Sequence, residues 1–497
     1  MASDVIVDVD VAPVHACLLI GGAWVDGVDG TGERMDVCNP ARPSELVGTV
    51  VRCTVSDVDA AAAAAKDAQV AWAAKGYRAR AAVIAEALLR LEQDLDARAV
   101  LYSRENGKTL VEAKGELTSV FMRQRLTLEL ADELDNERLL TDDNGRTFVT
   151  RVPYGTVVSI VPWNAPVPLG FMQIIPALLA GNAVIVKPPE TCPLALTQCV
   201  QLMADLFPPG VLNLVTGLPD EIGDRLTGHP DVDKLAFTGS IPSARHIMAN
   251  AAQTIKGITL ELGGNDPALL LEDADLSDKT MEMMASVVFR MSGQVCMAIK
   301  RVYVPTAIKD RFIDAFTKAA DKVVVGEGLR PKVSMGPLHQ ERGLIRGRNL
   351  VEDAEKRGAN VLRVGRIDNK DTFNEGWFMQ PTIVTDVADD APLMTEEQFC
   401  PALPVASYDD LDEAVAHANG TVYGLGGSVW GKDVERAMAV ARRIQAGTVW
   451  VNTHGTQAIN RRAPYGGIKQ SGIGRRAGIE GMYEYLQIKT ITSFEGQ

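Results

Sequence analysis

At 497 residues the chain exceeds the length at which one hydrophobic core stops growing, so two or three domains are expected. Its 46% hydrophobic and 23% charged residues exclude disordered and collagen-like classes, and a formal net charge of −14 excludes nonspecific attraction to nucleic acid or anionic membrane. No run approaches the roughly 18 apolar residues of a membrane span, and Met1 to Asp10 alternates acids with valines instead of opening on a basic signal peptide, which points to a cytoplasmic protein.

Read in chain order, Asp59 to Glu92 is rich in Ala, Leu, Glu, Lys and Arg at helical spacing, and Lys114 to Glu133 repeats the pattern; both are predicted as long surface helices. Arg146 to Val152 (RTFVTRV) alternates side-chain character and matches LQIKTITSF near the C-terminus in style, so both are predicted as edge strands. The middle of the chain repeats one unit: a short apolar strand, a turn bearing Gly, Pro or Asn, then a helix. The strands are VVSIV (157–161), AVIVK (183–187), VLNLV (211–215), KLAF (234–237) and ITLEL (258–262). Strands separated by helices of this length predict βαβ crossovers and a parallel, doubly wound sheet, with ligands at the C-terminal strand ends. Those ends are Pro162-Trp163-Asn164, Pro188-Pro189-Glu190, Thr238-Gly239-Ser240 and Gly263-Gly264. A second α/β series begins around Ala268 and holds RVYV (301–304), PTIV (381–384), GGSVW (426–430) and TVWVN (448–452), which predicts a second domain. No low-complexity linker separates the two, so they are expected to pack closely.

Several of these turns bear chemistry. Thr238-Gly239-Ser240 before a helix places backbone N–H groups where phosphate binds, although G-x-G-x-x-G is absent and the turn also reads as an ordinary strand-to-helix connection. Lys187 and Glu190 end the neighbouring strand; a carboxylate there accepts ribose hydroxyls and repels a 2′-phosphate, favouring NAD over NADP, while the pair alone equally fits a solvated ion pair. Gly293-Gln294-Val295-Cys296 joins an apolar helix to RVYV, and a cysteine with a free backbone N–H serves as nucleophile and oxyanion donor. Seven cysteines without CxxC pairs or histidine clusters make disulfides and zinc unexpected, and a small buried hydrophobe is the ordinary reading of each, Cys296 included. Glu261, before Leu262-Gly263-Gly264, suits a general base or a carboxylate capping the turn.

Together and in this order, the motifs resemble the aldehyde dehydrogenase superfamily over essentially the whole chain. The resemblance runs through Pro162-Trp163-Asn164-Ala165-Pro166, Lys187 with Glu190, Phe237-Thr238-Gly239-Ser240, Leu260-Glu261-Leu262-Gly263-Gly264 and Gly293-Gln294-Val295-Cys296. It continues with Glu396-Glu397-Gln398-Phe399, Tyr423-Gly424-Leu425, Trp450-Val451-Asn452, and Pro464-Tyr465-Gly466-Gly467 leading to Lys469-Gln470-Ser471-Gly472. It implies that Cys296 attacks an aldehyde, that Asn164 and the Cys296 N–H hold the oxyanion, and that Glu261 activates the water that hydrolyses the thioester. It implies NAD held by Lys187 and Glu190 at the adenosine ribose, by Trp163, Gly239 and Ser240 at the pyrophosphate, and by Glu397 with Phe399 at the nicotinamide riboside; no metal is needed. The implied fold has a Rossmann-like cofactor domain (1–136 and 155–262), an α/β catalytic domain (263–470) and a β-extension (137–154 with 484–497) that crosses a subunit interface in a homodimer or homotetramer.

The sequence also departs from the family. Cys400 stands where E-E-x-F-G-P has glycine, Ala244 stands at a usual glycine, Ile241-Pro242 replaces Thr-Glu, and Gln173 replaces a frequent lysine. Ala165, Val167, Leu169, Phe171 and Met172, with Tyr465, predict a mostly apolar substrate tunnel for a bulky aliphatic or aromatic aldehyde. Arg290 matches a position that holds the distal carboxylate in semialdehyde dehydrogenases, which keeps an acidic substrate as the alternative. Glu261 speaks against CoA as acyl acceptor, and Cys296, Glu261 and Asn164 together speak against a non-catalytic relative.

Overall fold

The computed structural model describes residues 12–30, 32–134, 137–142 and 145–494; residues 1–11, 31, 135–136, 143–144 and 495–497, which belong to segments named above, lie outside them. The five strands of the repeated unit form one parallel array in the spatial order Gly257–Glu261, Lys234–Thr238, Thr156–Ile160, Ala183–Lys187, Leu212–Leu214. The chain builds outward from Thr156–Ile160 on one side, then returns to build on the other. A crevice therefore opens between the C-terminal ends of Thr156–Ile160 and Lys234–Thr238, the switch point where doubly wound sheets bind ligands. Ala183–Lys187 and Lys234–Thr238 are buried along their whole length, as continuous apolar runs covered by helices on both faces should be.

Two antiparallel strands, Leu18–Ile20 and Ala23–Val25, extend the Leu212–Leu214 edge, and Gly472–Ile473 closes the opposite edge against Gly257–Glu261. A second sheet runs Asn360–Arg363, Thr382–Thr385, Ala402–Tyr408, Ile299–Pro305, Asp266–Leu270, Gly426–Trp430, Thr448–Val451, all parallel except the first.

Two local expectations are corrected. The stretch from Asp59 to Glu92 is two helices, Val55–Ala73 and Tyr77–Leu91, because Gly76 turns the chain at φ 75°. Neither is merely a surface helix: Trp72 is fully buried and donates from Nε1 to Leu178 O at 2.9 Å. In the three-stranded sheet, Leu486–Phe494 is an edge, but Gly145–Pro153 lies in the middle, since Arg138–Asp142 pairs on its other side. Two residues separate Arg138–Asp142 from Gly145, and this hairpin return was not legible as a separate strand.

One turn ties the fold to the site. Helix Leu95–Asn106 ends at Gly107 in the left-handed region (φ 90°), and Thr109 caps the next helix, Leu110–Glu129, leaving Lys108 turned inward between them. Its ammonium is fully buried and meets Glu116 Oε2 at 2.5 Å, Tyr102 Oη at 2.7 Å and the Asn164 carbonyl at 3.1 Å. Lys108→Met leaves Glu116 buried without its cation, and a loss of about 3–5 kcal/mol is expected. A urea denaturation midpoint equal to wild type would contradict that role for Lys108.

Candidate active site

The strand that ends in Glu261 is clamped by the C-terminal region. Leu260 pairs with Ile473 and Glu261 with Gly472, Leu262 N donates to Ser471 O at 2.9 Å, and Ser471 Oγ donates to Gly263 O at 2.6 Å. Two motifs some two hundred residues apart in sequence thus become one antiparallel ladder. At Gly263 an added Cβ would lie 2.4 Å from Glu397 Oε2, so a side chain there would displace the Glu397 carboxylate, whose other oxygen accepts from Gly264 N at 2.9 Å. Burial pushes the Glu397 carboxyl up to about 7, with the nearby Lys300 charge opposing.

Cys296 is brought over Glu261 by an unusual turn. Helix Asp278–Phe289 stops, and Met291 (φ 49°), Ser292 (φ 58°) and Gly293 (φ 74°) all take left-handed conformations. Non-glycine residues there carry strain, and such strain persists only where surrounding contacts hold it. Here Ser292 Oγ donates to Gly336 O at 2.7 Å, and the buried Lys300 ammonium donates to Gly293 O at 2.6 Å. The half-buried Cys296 Sγ lies 3.9 Å from Glu261 Oε1. Burial pushes the thiol well above its ordinary value, and the Glu261 carboxylate pushes it further.

Glu261 is itself buried, and its Oε2 lies 3.3 Å from Nε of the equally buried Arg476. Arg476 also donates to Thr238 Oγ1 and, at 3.4 Å, to Phe237 O. Gln173 is fully buried between Ser159 Oγ at 2.7 Å and Thr238 Oγ1 at 3.1 Å, so it belongs to this polar layer and not to a tunnel wall. Asn164 Nδ2 donates to Gln294 O at 3.0 Å, two residues before the thiol.

On the crevice side, the Trp163 ring stacks on His339 at 4.8 Å and meets Phe399 edge-on at 5.6 Å. Burial holds His339 down at about 4, so its ring is neutral. Lys187 Nζ lies 3.3 Å from Glu190 Oε2; burial pushes Glu190 up, but the Lys187 charge, a backbone N–H and the Lys187 hydrogen bond together outweigh burial and hold the carboxyl below its usual range. Gly239 N donates to Glu261 O at 3.1 Å, and Ser240 caps helix Ile241–Ala252, its Oγ accepting from Ser243 N at 3.2 Å. Ala244 is buried against the sheet. Phe399 adopts φ 48° and the Cys400 thiol is buried in the core, with burial raising it to about 11.

On the substrate side, Leu169, Met172 and Tyr465 gather around Cys296 with Met297, Ala458 and Ile459, and Tyr465 Oη donates to Met172 Sδ at 3.3 Å. Val167 and Phe171 do not join them. They occupy the opposite face of helix Pro166–Ala180 and pack in the first domain's core, because three-residue spacing keeps 169 and 172 together while 167 and 171 point away. Arg290 lines a cavity of about 580 Å³ beside Val295 and Met297, separate from the one that Met172 and Tyr465 line. Residues not singled out from sequence include Lys108, Lys300, His339, Arg123 and Arg476. Lys108, His339 and Arg123 reach the site across the fold, whereas Lys300 follows the Gly293–Cys296 motif closely and Arg476 lies just beyond the Lys469–Gly472 motif, and that adjacency was the visible signal for these two. Among the described residues, no group of three or more His, Cys, Asp or Glu side chains is arranged to hold a metal.

A family model described as the aldehyde dehydrogenase family matches residues 24–491. The chain is 35% identical to aminoaldehyde dehydrogenase 1, peroxisomal, of Pisum sativum over 487 residues, covering 96% of this chain and 95% of that protein. A betaine aldehyde dehydrogenase point mutant from Staphylococcus aureus, solved in complex with NAD+, superposes with a TM-score of 0.92 at 32% identity, covering 97% of this chain and 96% of that one. An Escherichia coli NADP-dependent enzyme superposes at 0.91 with 33% identity, covering 97% and 98%. With a family match across almost its entire length and this fold beneath it, the chain belongs to the aldehyde dehydrogenase family, oxidoreductases that convert aldehydes to acids.

Proposed function

We propose that the protein oxidises an aldehyde to a carboxylic acid with NAD, through a thioester on Cys296 that is hydrolysed by water activated by Glu261. The observation that carries this reading is the 3.9 Å approach of Glu261 Oε1 to the Cys296 sulfur. That approach puts the base beside the sulfur that would carry the acyl group, within reach of a water attacking its carbon. In this mechanism the Cys296 thiol gives its proton to solvent and the thiolate attacks the aldehyde carbon. The second N–H of the Asn164 amide, the one not donated to Gln294, and the Cys296 backbone N–H hold the oxyanion. NAD, when bound, accepts the hydride. Glu261 then takes the proton of water as its oxygen attacks the thioester carbon, and passes that proton to the departing sulfur, so that the acid leaves and the thiol is restored. Glu261 Oε1, the oxygen nearest the sulfur, is the one placed to take that proton, while Oε2 faces the Arg476 guanidinium at 3.3 Å. A base so placed favours water over CoA as the acyl acceptor.

The crevice fits a dinucleotide. In this reading Lys187 and Glu190 hold the adenosine ribose, Gly239, Ser240 and Trp163 flank the pyrophosphate, and Glu397 with Phe399 positions the nicotinamide riboside. Support comes from the switch-point location, from the half-buried Glu190 carboxylate held charged by Lys187, and from the Glu397 carboxylate packed on Gly263. The Ser240 hydroxyl, engaged in capping, would contribute through the helix N-terminus it sets. The carbons next to the aldehyde group would lie on Leu169, Met172 and Tyr465.

We also infer a homodimer or homotetramer. Arg138–Asp142 and Leu486–Phe494 are free sheet edges and expose Leu139, Leu140, Ile488 and Ile491, the kind of edge that proteins cover. Cytoplasmic residence is supported by seven unpaired cysteines, which a reducing compartment keeps as thiols.

Three outcomes are expected. Cys296→Ala abolishes cofactor reduction, while Glu261→Gln gives one equivalent of reduced cofactor per site in stopped flow and then stalls; normal steady turnover by either variant overturns the mechanism. Because the thiol is raised, its deprotonated fraction climbs with pH, so iodoacetamide alkylation of Cys296 in cofactor-free protein accelerates about tenfold per pH unit from 7 to 9, followed by peptide mass mapping. Glu190→Gln removes a charge facing the ribose and shifts the kcat/KM ratio toward NADP by about tenfold or more; an unchanged ratio removes Glu190 from cofactor choice.

A further inference from the structure

Lys300 is the second residue of strand Ile299–Pro305, four residues after Cys296, and its side chain is buried between two functional loops. On one side Nζ donates to Gly293 O at 2.6 Å, in the left-handed turn that leads to Cys296. On the other it lies 5.0 Å from the centre of the Phe399 ring, and the Lys300 carbonyl accepts from Gln398 Nε2 at 2.7 Å. Among the described residues the ammonium makes that one hydrogen bond and no ion pair. Its remaining donors are unused.

The turn at Gly293 needs only a hydrogen-bond donor, which a neutral amide would supply without the cost of burying a charge. Lys108 and Arg476, also buried near the site, each have a carboxylate partner, at 2.5 Å and 3.3 Å. Lys300 instead faces four groups through space: the carboxylates of Glu397 and Asp266 and the thiols of Cys400 and Cys296. Three of them are already accommodated. Glu397 accepts from Gly264 N at 2.9 Å, Cys400 is packed in the core, and Asp266 accepts from Gly426 N at 3.0 Å and lies 3.4 Å from Nε2 of the buried His454. Cys296 is the one that gains a full negative charge in the reaction proposed above. Burial pushes its thiol up, the carboxylates of Glu261, Glu397 and Asp266 push it further, and the Lys300 charge opposes them. The buried Tyr465 phenol and Arg476 guanidinium also face the sulfur, and Arg476 is engaged with Glu261.

We propose that Lys300 is a positioning residue for the nucleophile: its ammonium is the counter-charge that stabilises the Cys296 thiolate through space, while the same group fixes the turn at Gly293 and packs on the Phe399 ring of the cofactor loop. The assignment rests on the reading of Cys296 as the nucleophile. The thiol proton goes to solvent and leaves its electron pair on sulfur, and Lys300 gives up none of its protons. Held by a carbonyl on one loop and a ring on the other, the ammonium keeps its distance from the sulfur, so it favours the thiolate without bonding to the lone pair that attacks the aldehyde.

Thiol chemistry tests this without turnover. Alkylation of Cys296 in cofactor-free protein is followed by peptide mass mapping with neutral iodoacetamide and with anionic iodoacetate, the half-buried Cys17 and Cys38 serving as references. Lys300→Gln keeps a donor for Gly293 O and drops the charge, Lys300→Met is a second charge-free variant of similar length, and Lys300→Arg keeps the charge. In the two charge-free variants the iodoacetamide rate between pH 7 and 9 is expected to fall about 10-fold or more. The pH profile moves to the alkaline side, because a thiol that loses its counter-charge is raised further, and the iodoacetate rate falls more than the iodoacetamide rate. Lys300→Arg is expected to keep most of both rates. With NAD and an aldehyde, the burst of reduced cofactor slows in Lys300→Gln by a factor similar to that for iodoacetamide. Unchanged alkylation, an equal fall for both reagents with the pH profile in place, or a burst as fast as wild type overturns the proposal and leaves Cys296 as the nucleophile. Turnover that survives Cys296→Ala, with the alkylation pattern as expected, would instead overturn the catalytic reading and keep Lys300 as the partner of the thiolate.

Discussion

The carboxylate of Glu261 is buried beside a sulfur atom and could not persist there uncompensated. Removing an ionised carboxylate from water costs several kcal/mol, and the nearest repayment is the Arg476 guanidinium 3.3 Å away, itself out of water. Arg476 in turn leans on the Thr238 hydroxyl and the Phe237 carbonyl, at the end of the adjacent strand. The Glu261 carboxylate, its counter-ion and the strand end that opens the crevice are therefore one electrostatic unit. The ladder between Gly257–Glu261 and Gly472–Ile473 brings its members within reach.

The same solution recurs wherever the backbone leaves regular structure near the site. Irregular turns strand carbonyl oxygens that no sheet or helix satisfies, and here buried cations satisfy them. Lys108 donates to the Asn164 carbonyl, Lys300 to that of Gly293, and Arg301 to those of Asn265, His417 and Ala418. An ammonium or guanidinium offers several donors to one turn, so a single side chain can fix it. These struts allow Met291 and Ser292 to remain left-handed, and they fix the backbone at Asn164 and in the turn that leads to Cys296. The price is a site rich in buried charge, which only a closely packed pair of sheets can support.

Much of the fold was legible because its signals are local. Ala183–Lys187 and Gly426–Trp430 are the strands read from apolar runs, residue for residue, and the other seven central strands are displaced by one or two residues at an end. The errors have physical causes. Helical composition continues across Gly76, whose positive φ breaks the helix without altering the apolar spacing. The tunnel reading grouped Ala165 with four residues of the helix that follows it by proximity in sequence, whereas the helical repeat sends Val167 and Phe171 into the core and leaves Leu169 and Met172 at the site.

By itself the sequence determined the parallel α/β architecture, the order of its strands along the chain, the family resemblance, and the identity of Cys296, Glu261 and Asn164 as candidate chemical groups. Those features reside in short stretches whose side-chain pattern dictates local backbone form. The tertiary structure alone decided which groups face one another: Arg476 against Glu261, Lys108 against Asn164, and Lys300 against Gly293. Apart from Lys300 with Gly293, which are seven residues apart, these pairings join residues far apart in the chain, and charge complementarity or repulsion acts through space, where sequence distance carries no information.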